Sequence, residues 1–258
     1  MTDRQVLWCA TLPQRVWAIL RTMLGDLSAR PALLLVRAAH PRQAVATAVA
    51  LATAAAVAGR PLREVGLVAA TVLVGQSVLG WADDLTDRRS DERHRPTKPL
   101  ARGVLDPGTV WFALTCAVLL VVPLAVAHGR RAAAAYLSLL AISAVGDRFL
   151  HGRVLSFVPW VAGFALYPAF LAYGGWNGVG VTTPPTPTMV ALAAALGLGV
   201  HVLLALPGLV TDHEAGERSL PMVLALRLGT PRLLLLAGAF TAAVAVGVLI
   251  AGRTVGLT

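Results

Sequence analysis

The chain has 258 residues, 57% of them hydrophobic and 14% charged, with a formal net charge of +9. Soluble domains carry roughly 25% charged residues, so this composition excludes an ordinary soluble domain and points to a membrane protein. The basic residues do not gather on one polar domain with interleaved aromatics, so no nucleic-acid partner is expected, and two distant cysteines, Cys9 and Cys116, support neither a disulfide framework nor a thiolate metal site.

In chain order, residues 1–41 read as a cytoplasmic arm, amphipathic over 14–38. Charges such as Asp3, Arg4, Arg15, Arg21 and Asp26 interrupt it, and no short apolar run ends in a small-residue cleavage site, so no cleaved signal peptide is expected. Residues 42–258 read as a transmembrane helical bundle. Apolar runs of spanning length lie at about 43–59, 65–82, 108–127, 132–146, 154–174, 187–210 and 232–251. They do not alternate apolar with polar positions, which favours helices over a barrel. The fold class is therefore all-α and polytopic, with about seven spans. Of the 22 Lys and Arg residues, 17 fall on the side that holds the arm and the loops after the second, fourth and sixth spans, and 5 on the other. That bias predicts a cytoplasmic amino terminus, with both acid-rich loops on the cytoplasmic side of a multi-pass protein of the cytoplasmic membrane.

The second span runs into the stretch GWADDLTDRRSDERHRPTKPLARG, where five of the thirteen acidic residues crowd between Asp83 and Glu92. Asp83, Asp87 and Asp91 are spaced i, i+4, i+8, and Asp84 neighbours Asp87 and Asp91, so a helix continuing past Trp81 aligns the carboxylates along one stripe. Hard oxygen ligands at the cytoplasmic end of an apolar helix suit Mg2+, which takes one or two carboxylates together with waters and substrate phosphates. Arg93, Arg95, Lys98 and Arg102 follow at once and can neutralise phosphate oxygens. The alternative is a solvated loop whose acids pair with Arg88, Arg89 and Arg93. A second acidic segment, LPGLVTDHEAGERSLP, follows the sixth span. Asp212 is its best metal ligand, Glu214 and Glu217 are weaker ones, His213 is equally an interfacial bystander, and Arg218 adds a base. Two acidic ends facing each other could hold metal on both sides of one diphosphate.

Asp83-Asp84-Leu85-Thr86-Asp87-Arg88-Arg89-Ser90-Asp91 resembles the Asn-Asp-x-x-Asp-x-x-x-Asp signature of the UbiA superfamily of intramembrane prenyltransferases, with Asp83 in place of the usual Asn. Thr97-Lys98-Pro99-Leu100-Ala101-Arg102-Gly103 resembles the family's Arg/Lys-Pro-Leu-x-x-Gly segment. Gly216-Glu217-Arg218-Ser219-Leu220-Pro221 resembles its Gly-x-Arg-Thr/Ser-Leu-Pro segment. The resemblance implies a bundle, usually of nine helices, around a membrane-open cavity. It implies Mg2+ held by Asp84, Asp87, Asp91, Asp212 and Glu217 and a prenyl diphosphate held by Lys98, Arg102 and Arg218, with transfer to a hydrophobic, often aromatic, acceptor. A terpene cyclase on the same scaffold and a non-catalytic relative are the alternatives.

Three departures stand out. Gly208 occupies the place of an Asp one turn before Asp212, and about seven spans replace nine. Gly146 to Arg153 replaces a segment with Tyr and Lys, so that Arg148 or Arg153 is the candidate phosphate contact there. Within the spans, Gln76 and His201 are polar and so are candidate cavity residues, each weighed against an interhelical hydrogen bond. Trp81, Trp160, Phe164, Tyr167 and Phe170 can shield an allylic cation or simply pack the core. Asp147 is read as paired with Arg148 or Arg153.

Overall fold

The computed structural model describes residues 31–175 and 183–254. Residues 1–30, with most of the expected arm and Cys9, lie outside them. The described residues form helices α1 (Pro31–Ala38), α2 (Pro41–Val57), α3 (Leu62–His94), α4 (Pro107–Ala127), α5 (Arg130–Leu150), α6 (Val158–Tyr173), α7 (Pro187–Ala205), α8 (Leu209–Glu214), α9 (Leu220–Leu228) and α10 (Thr230–Thr254), with no strand among them. Sequence sets the starts. Asp106, Thr186 and Ser219 each accept the backbone N–H three residues on, of Thr109, Met189 and Met222, and proline follows each cap within two residues, where its missing N–H costs nothing. Gly129 and Gly229, at φ 101° and 81°, turn the chain into the next helix without the steric penalty of a Cβ.

Among the described residues, six segments are long and apolar enough to cross a membrane: Leu62–His94, Pro107–Ala127, Arg130–Leu150, Val154–Tyr173, Pro187–Glu214 and Thr230–Gly252. The first expected span corresponds to α2, whose 17 residues sit at the lower end of spanning length. Apolar side chains such as Phe112, Leu119 and Leu235 point outward, more than two thirds exposed, as the hydrocarbon of a bilayer requires. The short α9 was not expected. It is too brief to span and begins at a cap that the sequence reading placed in a loop.

Helices α2 to α7 pack on their chain neighbours, α3 also meets α5, and α10 lies against α7. The main core, Val68, Val72, Val121, Ala125, Tyr136, Leu139 and Phe170, lies where α3, α4, α5 and α6 meet. Small residues permit the close approaches. A Cβ at Gly75 would lie 2.1 Å from the Tyr136 hydroxyl, and one at Gly80 would lie 2.8 Å from the backbone carbonyl carbon and oxygen of Ala39. Since Ala39 is backbone and adjoins His40, Gly80→Ala is expected to destabilise the fold by about 1–3 kcal/mol through overpacking. Gly66→Ala, with nothing within 4 Å of the new methyl, is expected to be neutral or stabilising. Thermal unfolding in one detergent checks both, and equal melting temperatures for the two variants would contradict the packing shown.

With 33 residues, α3 is about 50 Å long at 1.5 Å per residue, well beyond a hydrocarbon core of about 30 Å. Its last turns therefore continue past Trp81 as one helix and carry the acid cluster, as the spacing predicts.

Candidate functional site

A cavity of about 350 Å³ opens within the bundle, within the range of small-molecule sites. Its apolar wall includes Leu79, Leu139, Trp160, Phe164, Tyr167 and Leu204; its polar end includes His40, Asp83, Arg95, Asp147, His151, Asp212 and Glu217. A smaller recess beside it is lined by Asp87, Ser90, Asp91, His94, Arg95, His151, Asp212 and Glu217. The two acidic segments thus meet at one mouth, as expected of loops on one side of the membrane.

The stripe on α3 divides its charges between two faces. Asp84, 2% exposed, and Asp91, 3% exposed, lie seven residues apart and so on one face. Lys98 joins them, with Nζ 2.8 Å from Asp84 Oδ1, 2.7 Å from Asp91 Oδ2 and 3.8 Å from Asp83 Oδ2. His40 Nε2 lies 3.2 Å from Asp84 Oδ1 and 3.8 Å from Asp83 Oδ2. Asp83 belongs to two groups of donors: its ligand atom lies within 4.8 Å of those of His40 and Asp84 on one side and of those of Asp147 and His151 on the other. Asp87 makes no ion pair within 4.0 Å among the described residues and borders the recess. Carboxylates and imidazoles at this spacing form a donor set that a hard divalent cation fits.

Burial opposes the charge of Lys98, but Asp83 and Asp84, with hydrogen bonds to Asp84 and Asp91, hold its ammonium above the ordinary value. The hydrogen bond to Asp84 likewise raises His40 against its burial. His151 is raised to about 9, chiefly by its hydrogen bond to Asp147 at 3.2 Å, with Asp87 and Glu217 adding to the effect and burial opposing it. A histidine that holds its proton more tightly when folded adds stability that is complete below its unfolded value, about 6.5, and is lost as pH rises through the folded one. The melting temperature in EDTA is therefore expected to fall between pH 6.5 and 9. His151→Gln should flatten that fall, and an unchanged slope in the variant would show that His151 does not carry it.

Several expected contacts are rearranged. Asp147 pairs with His151 rather than with Arg148 or Arg153. Arg148, one residue and about 100° further round α5, is exposed, and Arg153 is exposed beyond the turn at Gly152, φ 68°. Arg102 and Arg218 are also exposed and do not line the cavity. Arg218 is tied to the loop by its backbone N–H, 2.7 Å from Gly152 O, which joins the second acidic segment to the α5 end. Lys98, expected at phosphate, is held among carboxylates instead. His40, Asp147 and His151 belong to the site although the sequence reading did not place them there.

Deeper in the cavity both polar span residues face inward. Gln76 Nε2 donates to Tyr167 Oη at 3.2 Å, and His201 Nε2 lies 3.0 Å from Ser156 Oγ. Between them runs an aromatic ladder on one face of α6. Trp160 lies 5.5 Å from the His201 ring and 6.3 Å from Phe164, and Phe164 stands edge-on to Tyr167 at 5.5 Å. Trp81 packs away from the cavity, donating to Leu35 O at 2.9 Å, and Phe170 sits in the core against Tyr136 and His128.

No protein-family model and no curated protein matches the chain. Among solved structures, the chain is similar to a UbiA homolog from Archaeoglobus fulgidus bound to GPP and Mg2+, at 18% identity and a TM-score of 0.62, over 86% of this chain and 78% of that one. This protein therefore has the polytopic helical-bundle fold of a UbiA homolog.

Proposed function

We propose that the chain is a UbiA-superfamily enzyme that uses Mg2+ to ionise a prenyl diphosphate and transfers the prenyl group to a hydrophobic or aromatic acceptor. The observation that carries this reading is the meeting of acid-rich α3 and α8 ends at the mouth of an aromatic-walled cavity inside a membrane bundle. The similar solved structure was determined with GPP and Mg2+, which agrees with it.

Asp83, Asp84, Asp87 and Asp91, with His40, Asp147 and His151 nearby, would hold the cation. When bound, it supplies positive charge to the leaving diphosphate, more strongly in the transition state than in the ground state. The prenyl chain lies along the apolar wall. The C1–O bond breaks with its electron pair leaving on the diphosphate, and Trp160, Phe164 and Tyr167 present π faces to the allylic cation. A bond then forms from C1 to an acceptor carbon, whose proton passes to a carboxylate or to water. The same ladder favours a second reading, cyclisation, in which a double bond of the chain itself attacks C1.

Incubation of membranes with geranyl, farnesyl and geranylgeranyl diphosphates, with and without aromatic acceptors, separates the two. Coupled product only with acceptor supports transfer, and a cyclic hydrocarbon or alcohol without acceptor supports cyclisation. Absence of pyrophosphate release from all three leaves a non-catalytic relative. The proposed orientation is checked by single cysteines at Ser90 and Ala215 in a background lacking Cys9 and Cys116. Both should react only with reagents that reach the cytoplasm, and labelling from opposite faces would refute the shared mouth.

A further inference from the structure

The second acidic segment differs from the first in what already satisfies its charge. Asp212 Oδ1 lies 2.5 Å from Arg95 Nη2. Arg95 is the residue that ends α3, its backbone N–H on Asp91 O at 2.8 Å, and Pro96 follows it, so its side chain crosses from the first acidic segment to the second. A Cβ placed at Gly208, one turn before Asp212, would lie 3.3 Å from Arg95 Nη2 and 3.4 and 3.5 Å from the Asp212 carboxylate oxygens. The space for a side chain at 208 is therefore bordered by this ion pair. Both residues line the cavity and the recess.

The Asp212 carboxylate already meets a cation, the Arg95 guanidinium. Among the described residues, three donor groups converge within 4.8 Å at His40–Asp83–Asp84 and Asp83–Asp147–His151, and neither set includes Asp212. Glu217, the other expected ligand, faces His151 at 3.7 Å, and burial pushes its carboxyl up, with Asp212 adding and His151 opposing. A divalent ion on Asp212 would also stand against the guanidinium charge.

Resting on the reading above, we infer that Arg95 takes the place of a metal on the second acidic segment. Asp212 positions the guanidinium, and the N–H groups of Arg95 that do not meet Asp212 bind phosphate oxygens of the diphosphate that the first segment's cation holds from the other side. A planar guanidinium suits this use, since its five donors can serve a carboxylate and a phosphate together. The site is then asymmetric, with metal on α3 and arginine opposite.

The test measures binding in detergent-solubilised protein with Mn2+ and inorganic pyrophosphate as probes, so it does not depend on turnover. Asp212→Asn is expected to leave the number and affinity of bound Mn2+ within about twofold of wild type, whereas Asp87→Asn lowers that affinity at least about tenfold. In EDTA, Arg95→Ala is expected to weaken pyrophosphate binding about tenfold or more, Asp212→Asn to weaken it less, and Arg95→Lys to restore it only in part. The double variant Arg95→Ala, Gly208→Asp should gain a Mn2+ that Gly208→Asp alone does not. Loss of a Mn2+ in Asp212→Asn, or unchanged pyrophosphate binding in Arg95→Ala, would overturn the inference. If wild type ionises no prenyl diphosphate, the enzymatic reading fails while these binding results still decide the role of Arg95.

Discussion

Asp87→Asn is expected to lower turnover by about 10²–10³-fold or more while the melting temperature stays close to wild type. The two halves of that expectation have separate causes. Asp84 and Asp91 are buried and bound to Lys98, so their charges already support the fold. Asp87 is different: it is half-buried, has no ion pair within 4.0 Å among the described residues, and borders the recess between the two acidic segments. A carboxylate without a partner contributes little to the folded chain, and it is available to a cation that arrives with substrate. Asparagine keeps the volume and one acceptor oxygen but removes the charge, which is what a hard divalent ion binds. Product formation with the prenyl diphosphate that wild type accepts, measured beside a thermal melt, checks both halves. Full turnover in the variant would remove Asp87 from the site. A collapsed melting temperature would show that its charge serves the fold instead.

Much of the architecture was legible because membranes impose simple rules. Length and apolarity located all six span-length helices among the described residues and counted α2, at 17 residues, as a seventh, and the i, i+4, i+8 acids pointed to α3 running beyond the hydrocarbon. Gln76 and His201 were legible for the same reason, since polar groups within a span face inward, and each meets both readings at once, lining the cavity and hydrogen-bonding to another span. What escaped depends on distant register. His40 stands 44 positions before Asp84 in a left-handed turn, φ 49°, between α1 and α2, and nothing local marks a lone histidine there as part of an acidic site. Asp147 on the last turn of α5 and His151 just past its end are four apart, but adjacent arginines offer an equally good partner in the sequence. Only the orientation of the helix end decides between them. Charge alone likewise made Arg102, Arg148, Arg153 and Arg218 look suitable for phosphate, whereas each is exposed outside the cavity lining. In the sequence Arg95 is one base among several, and what sets it apart is the helix end that aims it at Asp212.

Lys98→Met is expected to have the largest effect on stability, and one that depends on metal. The ammonium is the cation shared by Asp84, Asp91 and, more distantly, Asp83, and Asp84 is 2% exposed. Methionine preserves most of the side-chain volume but leaves buried carboxylates without that charge, and breaking a buried pair from one side typically costs about 3–5 kcal/mol. His40, at 3.2 Å from Asp84, offsets part of this, and its offset fades as rising pH takes its proton away. The same carboxylates are the proposed cation ligands, so Lys98 and a divalent ion compete for them. Removing the lysine should therefore make the protein less stable in EDTA and more responsive to Mg2+. A ligand that binds only the folded state adds about 2.7 kcal/mol at a hundred times its dissociation constant. Tighter Mg2+ binding in Lys98→Met enlarges that gain at any fixed concentration, so the melting curves of variant and wild type should converge as Mg2+ is added. If Lys98 instead serves phosphate directly, the variant should bind Mg2+ no more tightly, and the gap between the curves should persist at every Mg2+ concentration.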